Sequence, residues 1–258
     1  MFLRNPNNQT GMAAAVAISW AALMISVLNR YPFPHVFPQD VDSPVLALEM
    51  SRNASDIDAV LHRSEPDNAP RAAYIMWLGN VLDLVFIPIC GFFLWSLARL
   101  FTAHTRLLTS LIAGAALFDY VEDWQIFRAL NGLSPAIYVS SLIKWGLLGL
   151  VFLFTAVILL RSVSPVYSTA TKRLIAIAYL VSGGLIVLSV SLGEFIGYSH
   201  IELAMRIFGL VVIVHLIGMF GHYLSIPGIS QKYVENFCEE RRRAGKESMT
   251  AVKPERAK

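Results

Sequence analysis

Long apolar blocks alternate with short polar stretches along almost the whole chain. A block of about 20 apolar residues is what a helix needs to cross a hydrocarbon core. The first covers residues 11–28 and ends at Asn29 and Arg30, before a proline-rich run. It is too long for the apolar region of a secretory signal and has no small-x-small cleavage site after it, so it reads as a retained helix. Five further spans follow at about 73–101, 107–130, 135–160, 174–198 and 201–224. Their connections are short, so consecutive helices should be antiparallel neighbours in an up-and-down bundle. Long two-residue alternation is absent, which excludes a barrel. The expected fold is an all-α membrane protein with six transmembrane helices and a small helical extramembrane cap between the first two. In order, the chain divides into an inner N-terminus (1–10), a first span (11–29), the cap (30–72), the five-helix remainder (73–224) and a basic tail (225–258).

The cap carries Asp40, Asp42, Glu49, Asp56, Asp58, Glu65 and Asp67 against Arg30, Arg52, Arg63 and Arg71. Pro32, Pro34 and Pro38 forbid a helix at its start, whereas Ser43-Pro44 is an N-cap and first-turn pair for a short helix through Met50. Ser55, with Asp58 three residues on, resembles the start of a second helix ending near His62. Leu46, Leu48, Met50, Ile57, Val60 and Leu61 would lay these helices on the membrane face; the competing reading is a solvated linker.

Composition supports lipid as the main solvent: 55% of the 258 residues are hydrophobic and 15% are charged, against about one quarter charged in a soluble domain. The formal charge is only +3 and the basic residues gather at segment ends and in the tail, without an aromatic-interleaved basic stripe. Nucleic acid is therefore not an expected partner. Cys90 and Cys238 lie in an apolar segment and in the tail, which gives no disulfide framework. With both termini in the cytoplasm, Arg4, Arg99, Arg106, Arg161, Lys172, Arg173, Arg241, Arg242, Arg243 and Lys246 all fall on the inner side, as the positive-inside rule asks. The tail then reads as an anchor at anionic lipid. Asn53-Ala54-Ser55 and Asn8-Gln9-Thr10 match the short glycosylation pattern, which arises readily by chance.

An ionisable group inside a bilayer costs about 2.5 to 3.5 kcal/mol on insertion scales, so those retained need a partner, water or a purpose. The second span carries Asn80 and Asp83, the third Asp119, Glu122 and Asp123, the fourth Lys144, the fifth Glu194, and the sixth Arg206, His215 and His222. Asp83 and Asp119 fall near the midplane, and Glu122, Asp123, Lys144, Glu194 and Arg206 nearer the outer surface. Asp119, Glu122 and Asp123 share one helix face with Ala115 and Ala116, and Lys144 and Arg206 are the cations available to them. Two readings stand open: a buried ion-pair network that sets helix register, and a functional polar site. Pro88 frees the carbonyl of Leu84 and predicts a kink just inward of Asp83. Gly183-Gly184 predicts bending or close helix packing. Glu194 can serve the site's mouth or snorkel to the interface. His215 and His222 are about 10.5 Å apart along a helix, too far to share a metal ion. His215 alone remains a weak metal candidate, and no cofactor is expected.

The acidic cap with Leu48-Glu49-Met50 and Asp56-Ile57-Asp58, followed by the helix bearing Asp119-Tyr120-Val121-Glu122, resembles a group of uncharacterised bacterial polytopic membrane proteins. The resemblance covers roughly residues 44–160. In that group asparagine often follows the glutamate, where this chain has Asp123. It implies a shared architecture, in a bacterial inner or plasma membrane, and supplies no reaction. The intramembrane Asp and His also resemble membrane metal-dependent hydrolases of the alkaline ceramidase and progestin-receptor-like type. Those have seven spans and a His-x-x-x-His pair, and this chain has neither. The leading expectation is thus a noncatalytic protein that binds, senses or passes a small solute, ion or lipid headgroup at an outward-facing cluster of Asn80, Asp83, Asp119, Glu122, Lys144, Glu194 and Arg206. A membrane-embedded metal-dependent hydrolase and a structural or assembly protein are the alternatives.

Overall fold

The computed structural model describes residues 6–31, 37, 41–101, 106–133, 136–162 and 169–225; for residues 6–8, 100, 101, 169, 194, 196 and 215–225 it describes the backbone alone. Pro32, Pro34, Pro38, Asp40, Arg4, Cys238 and the basic tail lie outside the described residues. Every regular element among the described residues is a helix: α1 Pro6–Leu28, α2 Pro44–Glu49, α3 Ala54–Val60, α4 Ala69–Phe101, α5 Arg106–Leu130, α6 Ile137–Arg161, α7 Thr169–Ile196 and α8 Ser199–Ser225.

Four stretches, Gln9–Leu28, Ala69–Arg99, Ile137–Arg161 and Ala170–Gly193, are long and apolar enough to cross a membrane. The chain is accordingly an integral membrane protein. Its outer surface agrees, since Ile25, Val85, Phe92, Leu117, Phe154, Leu174, Phe195 and Leu210 are all exposed. An aqueous surface disfavours so continuous an apolar coat, whereas lipid accepts it. The acids of α5 keep it from matching the same simple pattern, yet that helix also exposes Leu107, Leu117, Val121 and Trp124 while burying Glu122 and Asp123.

The six long helices form a ring in chain order. α1 packs on α4, α4 on α5, α5 on α6, α6 on α7 and α7 on α8, and α1 closes the circle against α8. Glycines permit the closest approaches. A Cβ on Gly183 would lie 2.8 Å from the Gly149 carbonyl oxygen, so α6 and α7 meet backbone to backbone, whereas a Cβ on Gly184 would meet nothing within 4 Å. Close packing at Gly183 is thus one of the two outcomes expected for that pair. Gly79 similarly seats Leu28 of α1, whose side chain lies 3.1 Å from where a Cβ would be.

α4 runs through Pro88 as one helix. The carbonyl of Leu84, which proline leaves without its usual donor, accepts from the Tyr120 hydroxyl of α5 at 3.3 Å. One turn's lost hydrogen bond has become a contact between helices.

The short helices sit differently from the sequence expectation. Ser43 does cap α2, accepting from the Leu46 amide at 3.4 Å. α3, however, is capped by Asn53, whose side chain accepts from the Asp56 amide at 3.0 Å while Asp56 accepts from the Arg52 amide at 3.0 Å. This reciprocal arrangement satisfies two backbone donors, which Ser55 two residues later cannot do. Leu46, Leu48, Met50, Ile57, Val60 and Leu61 are each at most 5% exposed. They face protein, not the membrane surface as expected, because α2 packs against α5 and α6 at the open end of the ring. Tyr31 ties the chain leaving α1 to α3 by donating to the Val60 carbonyl, and burial pushes its phenol pKa upward.

Toward the opposite end, Phe93 of α4, Phe152 of α6, Tyr179 of α7 and Phe208 of α8 meet in the middle of the ring. Phe152 stacks on Phe208 with centroids 4.7 Å apart, and Tyr179 stands edge-on to Phe152 at 5.6 Å. Phe93 and Phe152 are fully buried. Four aromatic rings of this size close the interior there.

Candidate functional site

Lys144 projects from α6 into the cap end of the ring and is 6% exposed. Its ammonium lies 2.6 Å from Glu122 Oε1, 3.0 Å from Glu49 Oε1 and 3.2 Å from Asp119 Oδ1. Three elements therefore converge on one cation: α5 supplies two carboxylates one turn apart, α6 the lysine, and α2 the third carboxylate. Glu49 is fixed in turn by Trp145, whose indole Nε1 donates to Glu49 Oε2 at 2.7 Å. The Lys144 ammonium also lies 4.9 Å from the Trp145 ring centroid, where a ring face attracts a cation.

Beside this cluster is a cavity of about 690 Å³. Its walls are mostly apolar, drawn from α1, α2, α4, α5, α6 and α8, with Leu28, Phe86, Leu94 and Phe208 among them. Glu49, Asp83, Asp119 and Lys144 line it within, and Asp42, Glu202 and Arg206 also border it. Asp42 and Arg206 are strongly exposed, with side chains 87% and 69% accessible, so they mark its mouth. Cavities of this volume accept drug-sized or smaller molecules. Cys90, a free thiol, also lines the wall.

The sequence-derived candidates divide accordingly. Asp119, Glu122 and Lys144 meet directly. Asp83 lines the same cavity as Asp119 and Lys144 and makes no ion pair among the described residues. Asn80 stands behind: its amide donates to the Asp123 backbone carbonyl at 2.9 Å, locking α4 to α5. Arg206 does not neutralise the α5 carboxylates, as expected for it, but pairs at the mouth with Asp42 at 3.5 Å and Glu202 at 3.8 Å. It stands about two turns into α8 beside the exposed Asp42, where water is a cheaper solvent for its long side chain than the interior. The side chains of Glu194, His215 and His222 lie outside the described residues. Among those described, no three His, Cys, Asp or Glu side chains gather in a way that would hold a metal ion.

Sequence reasoning missed Glu49 as a member of the cluster. A glutamate in a polar interval costs nothing and draws no notice; the available signal was its place between Leu48 and Met50 in a helix apolar on every side. Asp123 adds a further feature. It is 1% exposed and neither of its carboxylate oxygens has a hydrogen-bond partner, nor does Glu122 Oε2. Comparison with family models, curated proteins and solved structures gave no match.

Proposed function

We propose that the chain spans the membrane six times, with both termini inside, and that its cavity opens outward to bind a small solute, as a receptor or as one stage of passage across the membrane. α5 and α8 join the four plainly apolar helices as spans. What supports the reading most is the convergence of Glu49, Asp119, Glu122 and Lys144 on the edge of a cavity of about 690 Å³. A set of charges serving only to hold helices together needs no open volume beside it, and buried ion pairs are weak stabilisers compared with apolar packing. The aromatic rings at Phe93, Phe152, Tyr179 and Phe208 close the far end, so the solute enters and leaves by the mouth at Asp42 and Arg206. The positive-inside flanks support an outer position for that mouth, in keeping with the resemblance to acidic-helix bacterial membrane proteins.

Cys90 provides the test. In a Cys238→Ser background, a membrane-impermeant methanethiosulfonate added to the outer face of intact cells should modify Cys90. Modification from the inner face only, or from neither, would defeat the reading.

A further inference from the structure

The solute's charge can be read from what the cluster leaves unsatisfied. An ammonium has three N–H donors, and Lys144 has a carboxylate oxygen within 3.2 Å for each of them. It has none left for an incoming anion. Glu49 from α2 and Asp119 and Glu122 from α5 contact Lys144, Asp83 of α4 lines the same cavity, and Asp123 follows Glu122 in α5: among the described residues, five carboxyl groups stand against one interior cation. Among the described residues, the remaining charged groups on the cavity are Asp42, Glu202 and Arg206 at its mouth; α1 contributes apolar side chains, Asn29 follows it, and α4 adds the Cys90 thiol. Five like charges cannot all persist in a water-poor interior. Among the described residues no group donates to the buried oxygens of Asp123 or to Glu122 Oε2, so this side of α5 carries more acceptors than the donors facing it.

On the binding reading above, we propose that the cavity takes an organic cation with an apolar body and exchanges it for a proton, with Asp83 as the residue at which the exchange occurs. Asp83 is the inner carboxyl that lines the cavity and is not engaged by Lys144. The apolar walls accept the solute's body while Asp83 and the free oxygen of Asp119 face its positive head. In the empty cavity the proton sits on the Asp83 carboxyl. When the cation docks, that proton leaves through the mouth, so the interior charge is unchanged. An amine or quaternary ammonium meets these demands without requiring a compact ligand set.

Tetraphenylphosphonium and tetraphenylborate have nearly the same shape and opposite charge, which makes them a direct probe. Titration calorimetry of the purified full chain should show the cation binding and the anion failing to bind. One proton released per cation bound makes affinity rise about tenfold per pH unit, and the heat should vary with the buffer's own protonation heat. Asp83→Asn, which removes no ion pair, should abolish both the pH dependence and the buffer dependence. Equal binding of the two ions, no binding of the cation, or cation binding that is flat from pH 6 to 8 in the unmodified protein would each overturn the proposal. The two readings fail separately: a Cys90 that is labelled from outside but not protected by tetraphenylphosphonium sinks the cation and keeps the cavity.

Discussion

At the cap end of the ring, Lys144 of α6 gathers three carboxylates beside an open cavity; about two turns farther along the same helix, Phe152 is fully buried against Tyr179 and Phe208. One helix thus borders two different interiors. The far half is held by contact: aromatic rings interlock, and α6 and α7 approach until a single added carbon at Gly183 has no room. The near half is held by charge around volume, with α2 inserted so that Glu49 completes the set. Contact packing is insensitive to protonation and leaves no space. A charged lining is sensitive to both protonation and occupancy, and that is why the binding proposed above is assigned there.

The largest expected effect breaks the near half. Lys144→Met leaves Glu49, Asp119 and Glu122 without their cation and should cost about 3–5 kcal/mol, read as a fall in Tm of the detergent-purified protein. Neutralising the partners as well, with Glu49→Gln, Asp119→Asn and Glu122→Gln, should recover most of that loss. A Lys144→Met protein that melts like the parent would show that charge does not hold the cap end.

A smaller effect tests the far half. Gly183→Ala places its Cβ 2.8 Å from a backbone oxygen that cannot swing aside, and overpacking of this kind costs about 1–3 kcal/mol. Gly184→Ala, with open space around it, should melt no lower than the parent. Equal behaviour of the two neighbours would remove the contrast between a tight seam and an open one. The smallest expected change lies at the join between the halves. Tyr120→Phe strands the Leu84 carbonyl above Pro88 and should cost about 0.5–1.5 kcal/mol, without altering tetraphenylphosphonium affinity by more than about twofold, since the Tyr120 hydroxyl is no part of the cavity's charge.

Legibility followed cost. Asp119, Glu122 and Lys144 stood out in the sequence because charge inside an apolar block is expensive, and Pro88 announced a stranded carbonyl because its chemistry removes a donor wherever it stands. Glu49 and Arg206 were read less well for a shared reason. The depth of a residue along a helix can be counted, but the direction it faces around the axis depends on how that helix is rotated against its neighbours. Arg206 has comparable depth and faces the mouth. Glu49 has no counted depth, because a six-residue helix in a polar interval gives no sign that it is drawn into the ring.

By itself, then, the sequence determined that the chain is a helical membrane protein, since lipid forces backbone hydrogen bonds inside each segment and writes that demand into apolar block length. It also determined which side chains were too costly to be incidental. Only the tertiary structure decided which of them meet. Helix rotation, the inward turn of α2 and the closing contact of α1 on α8 arise from packing among distant residues, and no local pattern of polar and apolar positions encodes them.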